Sequence, residues 1–198
     1  MTKRLQSPQN SKALIIFTLG HSTRELEEFL EILEAHGIQL LADVRTVPRS
    51  RRVPQFNRDA LEKVLPEHGL AYRHLALLGG LRKTRKDSPN QGWHNASFRG
   101  FADYMQEPKF WEGISELEKL AGDHRVAIMC AEAVPWRCHR SLIADALVLH
   151  GTNVFHIFSK TKAEPHAMTP FAVVQESRIL YPAGGLHEHS RDEHSRDL

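Results

Sequence analysis

The sequence predicts a single Rossmann-like α/β domain, built on a mainly parallel sheet of about five strands with helices on both faces. Three observations carry that expectation. Apolar runs of strand length alternate along the chain with segments of helical period. The runs are continuous, as suits strands covered on both sides. The first run, helix and second run fit within roughly 30 residues, a βαβ unit whose crossover requires parallel strands and a right-handed connection.

Ala13 to Leu19, ALIIFTL, is the first run and ends at Gly20 and His21. Ser22-Thr23-Arg24-Glu25 has capping-box spacing, and Leu26, Phe29, Leu30 and Leu33 share one face of the helix that follows, with Gly37 as its stop. Ile38 to Val44 is the second strand, closed by Asp43-Val44-Arg45. The loop from Thr46 to Phe56 holds Pro48 and Pro54, which deny it a central strand position and leave its arginines displayed. Asn57 caps a short helix with Leu61, Val64 and Leu65 inward, ending at His68-Gly69.

Leu70 to Leu78 reads as the third strand and ends in Gly79-Gly80. The polar stretch after it, LRKTRKDSPNQGWHN, is long for a compact domain, and such loops are functional or mobile. Phe98 to Met105 and a segment opened by Pro108 read as helices, the second with Phe110, Ile114, Leu117 and Leu120 inward. Val126 to Cys130 is a strand, Cys138 to about His150 a helix with Leu142, Ile143, Ala146 and Leu147 against the sheet, and Asn153 to Phe158 the last strand. After Ser159 the apolar pattern decays.

At 198 residues and 41% hydrophobic composition, the chain is long enough for one core and does not demand two domains. The expected division is a flexible lead-in over 1–11, an α/β domain over 12–160, and an irregular extension over 161–198. That extension ends in a tail, expected to be disordered, in which EHSRD occurs at 188–192 and again at 193–197. A net charge of +2 gives no global basic field, so any nucleic-acid argument rests on local clusters. Two cysteines make no disulfide framework, and without a signal-like N-terminus they point to the reducing cytoplasm. No apolar run approaches a membrane span.

In open α/β sheets ligands bind beyond the carboxyl ends of the strands. Those ends carry Gly20-His21-Ser22, Asp43 with Arg45, Gly79-Gly80, and Cys130 with Glu132; expected free amides at Ser22 and Cys138 would favour an anion. Both cysteines fall in RVAIMCAEAVPWRCHRSLIADALVLHG, from Arg125 to Gly151, the densest cluster of reactive and charged groups in the chain.

At CAEAVPWRCHRSLIADAL the chain resembles the family catalogued as domain of unknown function 488, whose hallmark is a CAE, proline, CHR arrangement after an apolar strand. The resemblance runs over about residues 14–160 and includes GHST, DVR with a following proline, LGG, FADYM and VFHI in order. It implies a fold and a site, without an established reaction.

The leading expectation is an enzyme acting on a small anionic or nucleotide-related ligand. Cys138 or Cys130 supplies a reactive thiol, with Glu132, His139 and His21 as acid–base candidates. Ser22, Asp43, Arg45, Gly79, Gly80, Arg137 and Arg140 are the candidate ligand-binding residues. Each has a plainer reading: packed thiols, a Glu132 salt bridge with Arg45 or Arg140, structural histidines, and an Asp43–Arg45 pair that orients itself. A phosphatase is disfavoured, because six residues separate Cys130 from Arg137 where that class has five.

The alternative is a nucleic-acid-binding protein using Arg49, Arg51 and Arg52 together with Arg82, Lys83, Arg85 and Lys86, with Trp93, Trp136 and Phe56 as stacking candidates. A third, less favoured reading is a structural metal site on the two cysteines: Cys130, Cys138, His139 and His21 have metal-binding chemistry, but their spacing is not a usual zinc pattern, and no residue is assigned as a metal ligand. Nothing in the sequence identifies a cofactor or an oligomeric state.

Overall fold

The computed structural model describes residues 13–184, so the lead-in expected over 1–11 and the EHSRD repeat lie outside the described residues. In chain order the elements are β1 (Ile15–Gly20), α1 (Leu26–Ala35), β2 (Leu40–Asp43), α2 (Arg58–Glu67), β3 (Ala71–His74), α3 (Ala96–Tyr104), α4 (Pro108–Asp123), β4 (Val126–Cys130), α5 (Arg140–Leu149), β5 (Asn153–Ser159), β6 (Lys162–Pro165), β7 (Val173–Gln175) and β8 (Arg178–Leu180).

The main sheet has six strands in the order β3-β2-β4-β1-β5-β6. Strands β1 to β5 are mutually parallel, and β6 pairs antiparallel with β5 at the edge. The architecture is therefore the Rossmann-like α/β class, with one more strand than the continuous apolar runs announce.

The pleat divides the core in two. Phe17, Leu41, Ala127 and Met129 pack with Phe29 and Leu33 of α1 and Leu61 and Leu65 of α2. Ile16, Ala42, Ile128 and Cys130 face the other side, with Phe101 of α3, Ile114 of α4 and Leu142 and Ile143 of α5. Successive residues of one strand thus serve opposite layers, which is why the central strands are apolar at every position. The topology also places the site. β4 lies between β1 and β2, whose chains leave toward helices on one face, while β4 leads to α5 on the other. Its carboxyl end is a topological switch point, where the following loops part toward opposite faces.

Several local expectations need correction. The capping box does not form: α1 begins at Leu26 with Glu25 as N-cap and no side-chain cap bond, while Ser22 takes a left-handed conformation at φ 51°. The Ser22 amide donates to Ala131 O at 2.9 Å, so it is not free for an anion. The third strand is shorter than its apolar run, because the chain turns into a 3-10 turn over Ala76–Leu78.

Nor does the polar stretch from Leu81 to Asn95 float. Asp103 accepts from Ser88 Oγ at 2.5 Å, Asn90 Nδ2 at 2.8 Å and the Arg85 amide at 2.9 Å, pinning the loop against α3. After Ser159 the chain supplies β6 and the β7–β8 hairpin, and Ile179 and Tyr181 enter the core. Strands of three or four residues are too short to show a period.

Gly20 fixes how closely β1 approaches the loop after β4. A Cβ there would overlap the carbonyl oxygen of Glu132, a backbone atom that cannot swing aside as a side-chain tip would. Gly20→Ala is expected to lower the urea midpoint by the equivalent of ~1–3 kcal/mol, the usual cost of overpacking. An unchanged midpoint would show that residues 131–133 yield freely.

Candidate functional site

The loop after β4 brings both cysteines back to the end of the same strand. Pro135 opens a 3-10 turn over Pro135–Arg137, where its fixed φ suits the first position. Cys138 closes that turn, its amide donating to Pro135 O at 2.9 Å, and α5 then starts at Arg140 with His139 as N-cap. This corrects the expected helix start at Cys138. Its amide is already spent, so positive charge at this sulfur must come from elsewhere.

It comes from Arg140. The side chain is only 1% exposed, yet among the described residues it has no carboxylate partner. Its Nε donates to Cys138 Sγ at 3.4 Å, Nη1 to Thr18 Oγ1 at 3.1 Å, and Nη2 to the Glu132 carbonyl at 2.6 Å. A guanidinium stays protonated even when buried. A buried cation without a counter-ion is expensive, and the one group it touches that can become an anion is the Cys138 thiol.

His139 faces the same sulfurs. Its Nε2 lies 3.0 Å from Val44 O and 3.1 Å from Leu78 O, two acceptors that require the proton on Nε2. In the neutral ring Nδ1 then carries the lone pair, 3.7 Å from Cys138 Sγ and 4.0 Å from Cys130 Sγ, where it can take a thiol proton.

The two thiols are driven apart in acidity. The hydrogen bond from Cys130, the bond to His139 and the charge on Arg140 hold Cys138 well below the ordinary thiol range, against the opposing effect of burial. Cys130 is pushed well above that range by its hydrogen bond to Cys138 and by burial. The two thiols therefore titrate as a pair, the more acidic sulfur being the one beside Arg140.

Cys130 Sγ, Cys138 Sγ and a His139 ring nitrogen lie within 4.8 Å of one another, a donor set that suits a soft divalent ion. The guanidinium against Cys138 already supplies positive charge, so the arrangement balances without one.

Beside the sulfurs stands a second buried cluster. Asp43 accepts from the Arg45 amide at 3.0 Å, from Arg45 Nε at 2.9 Å and Nη2 at 2.5 Å, and from Tyr72 OH at 2.7 Å. Arg45 also donates to Phe56 O at 2.7 Å and to His21 Nε2 at 3.2 Å. His21 must therefore carry its proton on Nδ1, which lies 2.9 Å from Ser22 O. Its ring stacks on Phe56 at 4.3 Å. Burial, aided by the Arg45 charge, pushes the His21 pKa down to about 4. The partners of Asp43, Arg45 and His21 are thus internal.

The other expected site residues divide by environment. Glu132 enters through its backbone carbonyl; its side chain is exposed, and among the described residues its carboxylate makes no salt bridge with Arg45 or Arg140. Arg137 is exposed. Gly79 packs on Thr46, and a Cβ on Gly80 would overlap the His139 ring, so Gly80 makes room for the imidazole.

In the basic block, Arg82 donates to Gly79 O and Leu77 O and lies 3.6 Å from the Tyr104 ring centre, while Arg85 pairs with Asp87. Lys83 and Lys86 are exposed, as are Arg49, Arg51 and Arg52. Of the aromatic candidates, Phe56 is buried and Trp93 packs on Phe98 at 4.6 Å, leaving Trp136 displayed at 63% exposure.

Sequence reasoning missed Thr18, Tyr72, Asp145, His156, His166 and Tyr181. Two signals could have found part of the set: an aspartate in the apolar face of LIADALVL and a histidine inside the strand VFHIF. Polar groups at such positions need buried partners.

The family model described as Domain of unknown function DUF488 matches residues 25–147, a span holding both cysteines, His139, Arg140, Asp43 and Arg45. No curated protein and no solved structure matched the chain. No helix among the described residues is long and apolar enough to cross a membrane.

Asp43→Asn removes the charge opposite a buried guanidinium and is expected to destabilise the fold by ~3–5 kcal/mol, the cost of breaking a buried pair. Chemical denaturation measures it, and a loss under about 1 kcal/mol would place the pair among weak surface bridges. Between about 4, where folded His21 titrates, and about 6.5, where an unperturbed histidine does, the unfolded chain binds a proton that the folded chain refuses. Stability contributed by neutral His21 is therefore full above that window and lost as pH falls through it. The urea midpoint should drop across that window, and more gently in His21→Gln; parallel profiles would exclude His21 as a source.

Proposed function

Because the chain belongs to the family of domain of unknown function DUF488, whose description names no reaction, we propose a function from the geometry of the site: a thiol-dependent enzyme acting on a small anionic or nucleotide-related ligand at the carboxyl edge of the sheet. The observation that carries it is the contact between Arg140 Nε and Cys138 Sγ, which sets a buried cation without a carboxylate against a thiol. Cys138 is the nucleophile and Cys130 the thiol that shares its proton. His139, held by two carbonyl oxygens, is the acid–base group.

In the chemical step a bond forms between the Cys138 sulfur and the electrophilic centre of the ligand. The bond to the leaving group breaks with its electron pair, and that group takes the proton held by Cys130 or His139. Water, giving its proton to His139, then releases the product and restores the Cys138 thiolate, and His139 passes that proton to Cys130 where Cys130 was the donor.

The rim supports the ligand class. Val47 and Trp136 are exposed on the loops after β2 and β4, and Leu81 follows β3 on the same edge, its amide 2.9 Å from Thr46 Oγ1. Arg49, Arg51, Arg52 and Arg137 are exposed on those loops too. Apolar surface mixed with cations suits a ligand with an aromatic part and a phosphate or similar anion. Both sulfurs are buried at the floor, which restricts attack to a small centre.

Iodoacetamide alkylation followed residue by residue by mass spectrometry tests this. Cys138 is expected to react with a pH midpoint below ~7.5, the upper limit for activated thiols. Cys130 should react slowly, a bulky disulfide reagent should react more slowly still, and Cys138→Ser should abolish the fast phase. Two slow thiols with ordinary midpoints would overturn the proposal. So would stoichiometric metal in protein purified without chelator, since the sulfurs would then be ligands.

A further inference from the structure

A chain of hydrogen bonds leaves Arg140 for Thr18 and runs between the sheet and α5, from β1 to β5 and on to His166. Arg140 Nη1 donates to Thr18 Oγ1 at 3.1 Å, which lies 2.8 Å from His156 Nδ1. His156 Nε2 lies 2.9 Å from His166 Nδ1, and His166 Nε2 lies 2.8 Å from Asp145 Oδ1. Asp145 further accepts from the Thr169 amide at 3.0 Å, from Thr169 Oγ1 at 2.6 Å and from Tyr181 OH at 2.8 Å. Thr18 and Asp145 are fully buried and His156 is 7% exposed.

With both imidazoles neutral, the two ends set a single direction along the chain. A guanidinium has only donors and an ionised carboxylate only acceptors. Thr18 therefore accepts from Arg140 and donates its hydroxyl proton to His156 Nδ1. His156 donates from Nε2 to His166 Nδ1, and His166 donates from Nε2 to Asp145. Each link then holds one proton and no member is left unsatisfied. Burial holds the His156 ring neutral, pushing its pKa down to about 3.

A buried polar chain against a sheet is costly unless every member is bonded. Valine at 18 and phenylalanine at 156 would fill the same space without that demand. The chain ends on the cation that touches the Cys138 sulfur, and its far end is anchored by Thr169 and Tyr181 from beyond β6. That far anchor, His166, His156 and Thr18 all fall outside the residues the family model matches.

We propose that Thr18, His156, His166 and Asp145 form a positioning relay that holds the Arg140 guanidinium with its Nε at Cys138, so that the C-terminal segment helps set the reactivity of that sulfur. The proposal rests on the thiol reading above. The groups that face the sulfur are Cys130 from β4 and His139 and Arg140 from the start of α5. The relay reaches it through Arg140 alone.

The test is the pH profile of Cys138 alkylation in the full chain, read beside the thermal melting curve. Thr18→Val deletes the hydroxyl next to Arg140, and His156→Phe interrupts the chain one link further while leaving the Arg140–Thr18 contact possible. Each is expected to raise the Cys138 midpoint by about one pH unit, roughly a tenfold loss of thiolate below the midpoint. Thr18→Ser keeps the hydroxyl and is expected to keep the wild-type profile.

If one variant does not fold, the other gives the reading. Folded variants with the wild-type midpoint, whatever their melting temperature, overturn the relay and leave a structural network. A Thr18→Ser profile like that of Thr18→Val would also overturn it. An ordinary Cys138 midpoint in the wild type would instead overturn the thiol reading, so the two failures are distinct.

Discussion

A guanidinium buried beside a thiol is the constraint on which the site depends. Arg140 must be charged, it stands at the first residue of α5 under the centre of the sheet, and its three nitrogens are directed at a sulfur, a hydroxyl and a carbonyl. Much of what surrounds it follows. Gly20 lacks a side chain because the Glu132 carbonyl must come close enough to receive Nη2. Thr18 is a hydroxyl inside an apolar strand because Nη1 needs an acceptor there. Cys138 is held with its sulfur at Nε by a proline-led turn that also returns it to Cys130.

The neighbouring Asp43–Arg45 pair shows what a self-contained buried charge looks like. Arg45 is answered by a bidentate carboxylate, and that carboxylate is further bonded by Tyr72. Such a pair rigidifies the ends of β1 and β2 and keeps His21 neutral, with no charge left over. Arg140 lacks that answer, and the difference in counter-ion, more than any difference in burial, separates the two buried arginines. Imidazoles divide the same way: His21 has both nitrogens engaged by protein groups, whereas His139 has Nε2 engaged and Nδ1 turned to the sulfurs.

Residues whose importance is covalent or compositional were legible before folding. The two cysteines, the adjacent CHR triplet and the strand-end rule were enough to predict where Cys130, Cys138, His139 and Arg140 gather, because the carboxyl ends of parallel strands share one edge of the sheet whatever the strand order. The partners could not be read. Glu132 looked like an acid–base group, yet it contributes a carbonyl, and backbone roles leave no trace in residue type. Gly79 and Gly80 stood as ligand-binding candidates, and the residue type gave no sign that Gly80 makes room for the His139 imidazole. Arg82 looked like a displayed cation, but its guanidinium is spent on backbone carbonyls and an aromatic ring.

By itself the sequence determined the α/β class, the parallel βαβ start, the two-layer core and the stretch carrying the thiols. Those features follow from local periodicity and from the chemistry of single residues. Only the tertiary structure decided which charges are answered and which are not. It set Asp43 against Arg45, left Arg140 to Cys138, and joined Thr18, His156, His166 and Asp145 across segments more than a hundred residues apart in the chain. The physical reason is that the state of a buried ionisable group depends on the few atoms within hydrogen-bond reach, and those atoms come from β1, β4, α5, β5 and the C-terminal segment together.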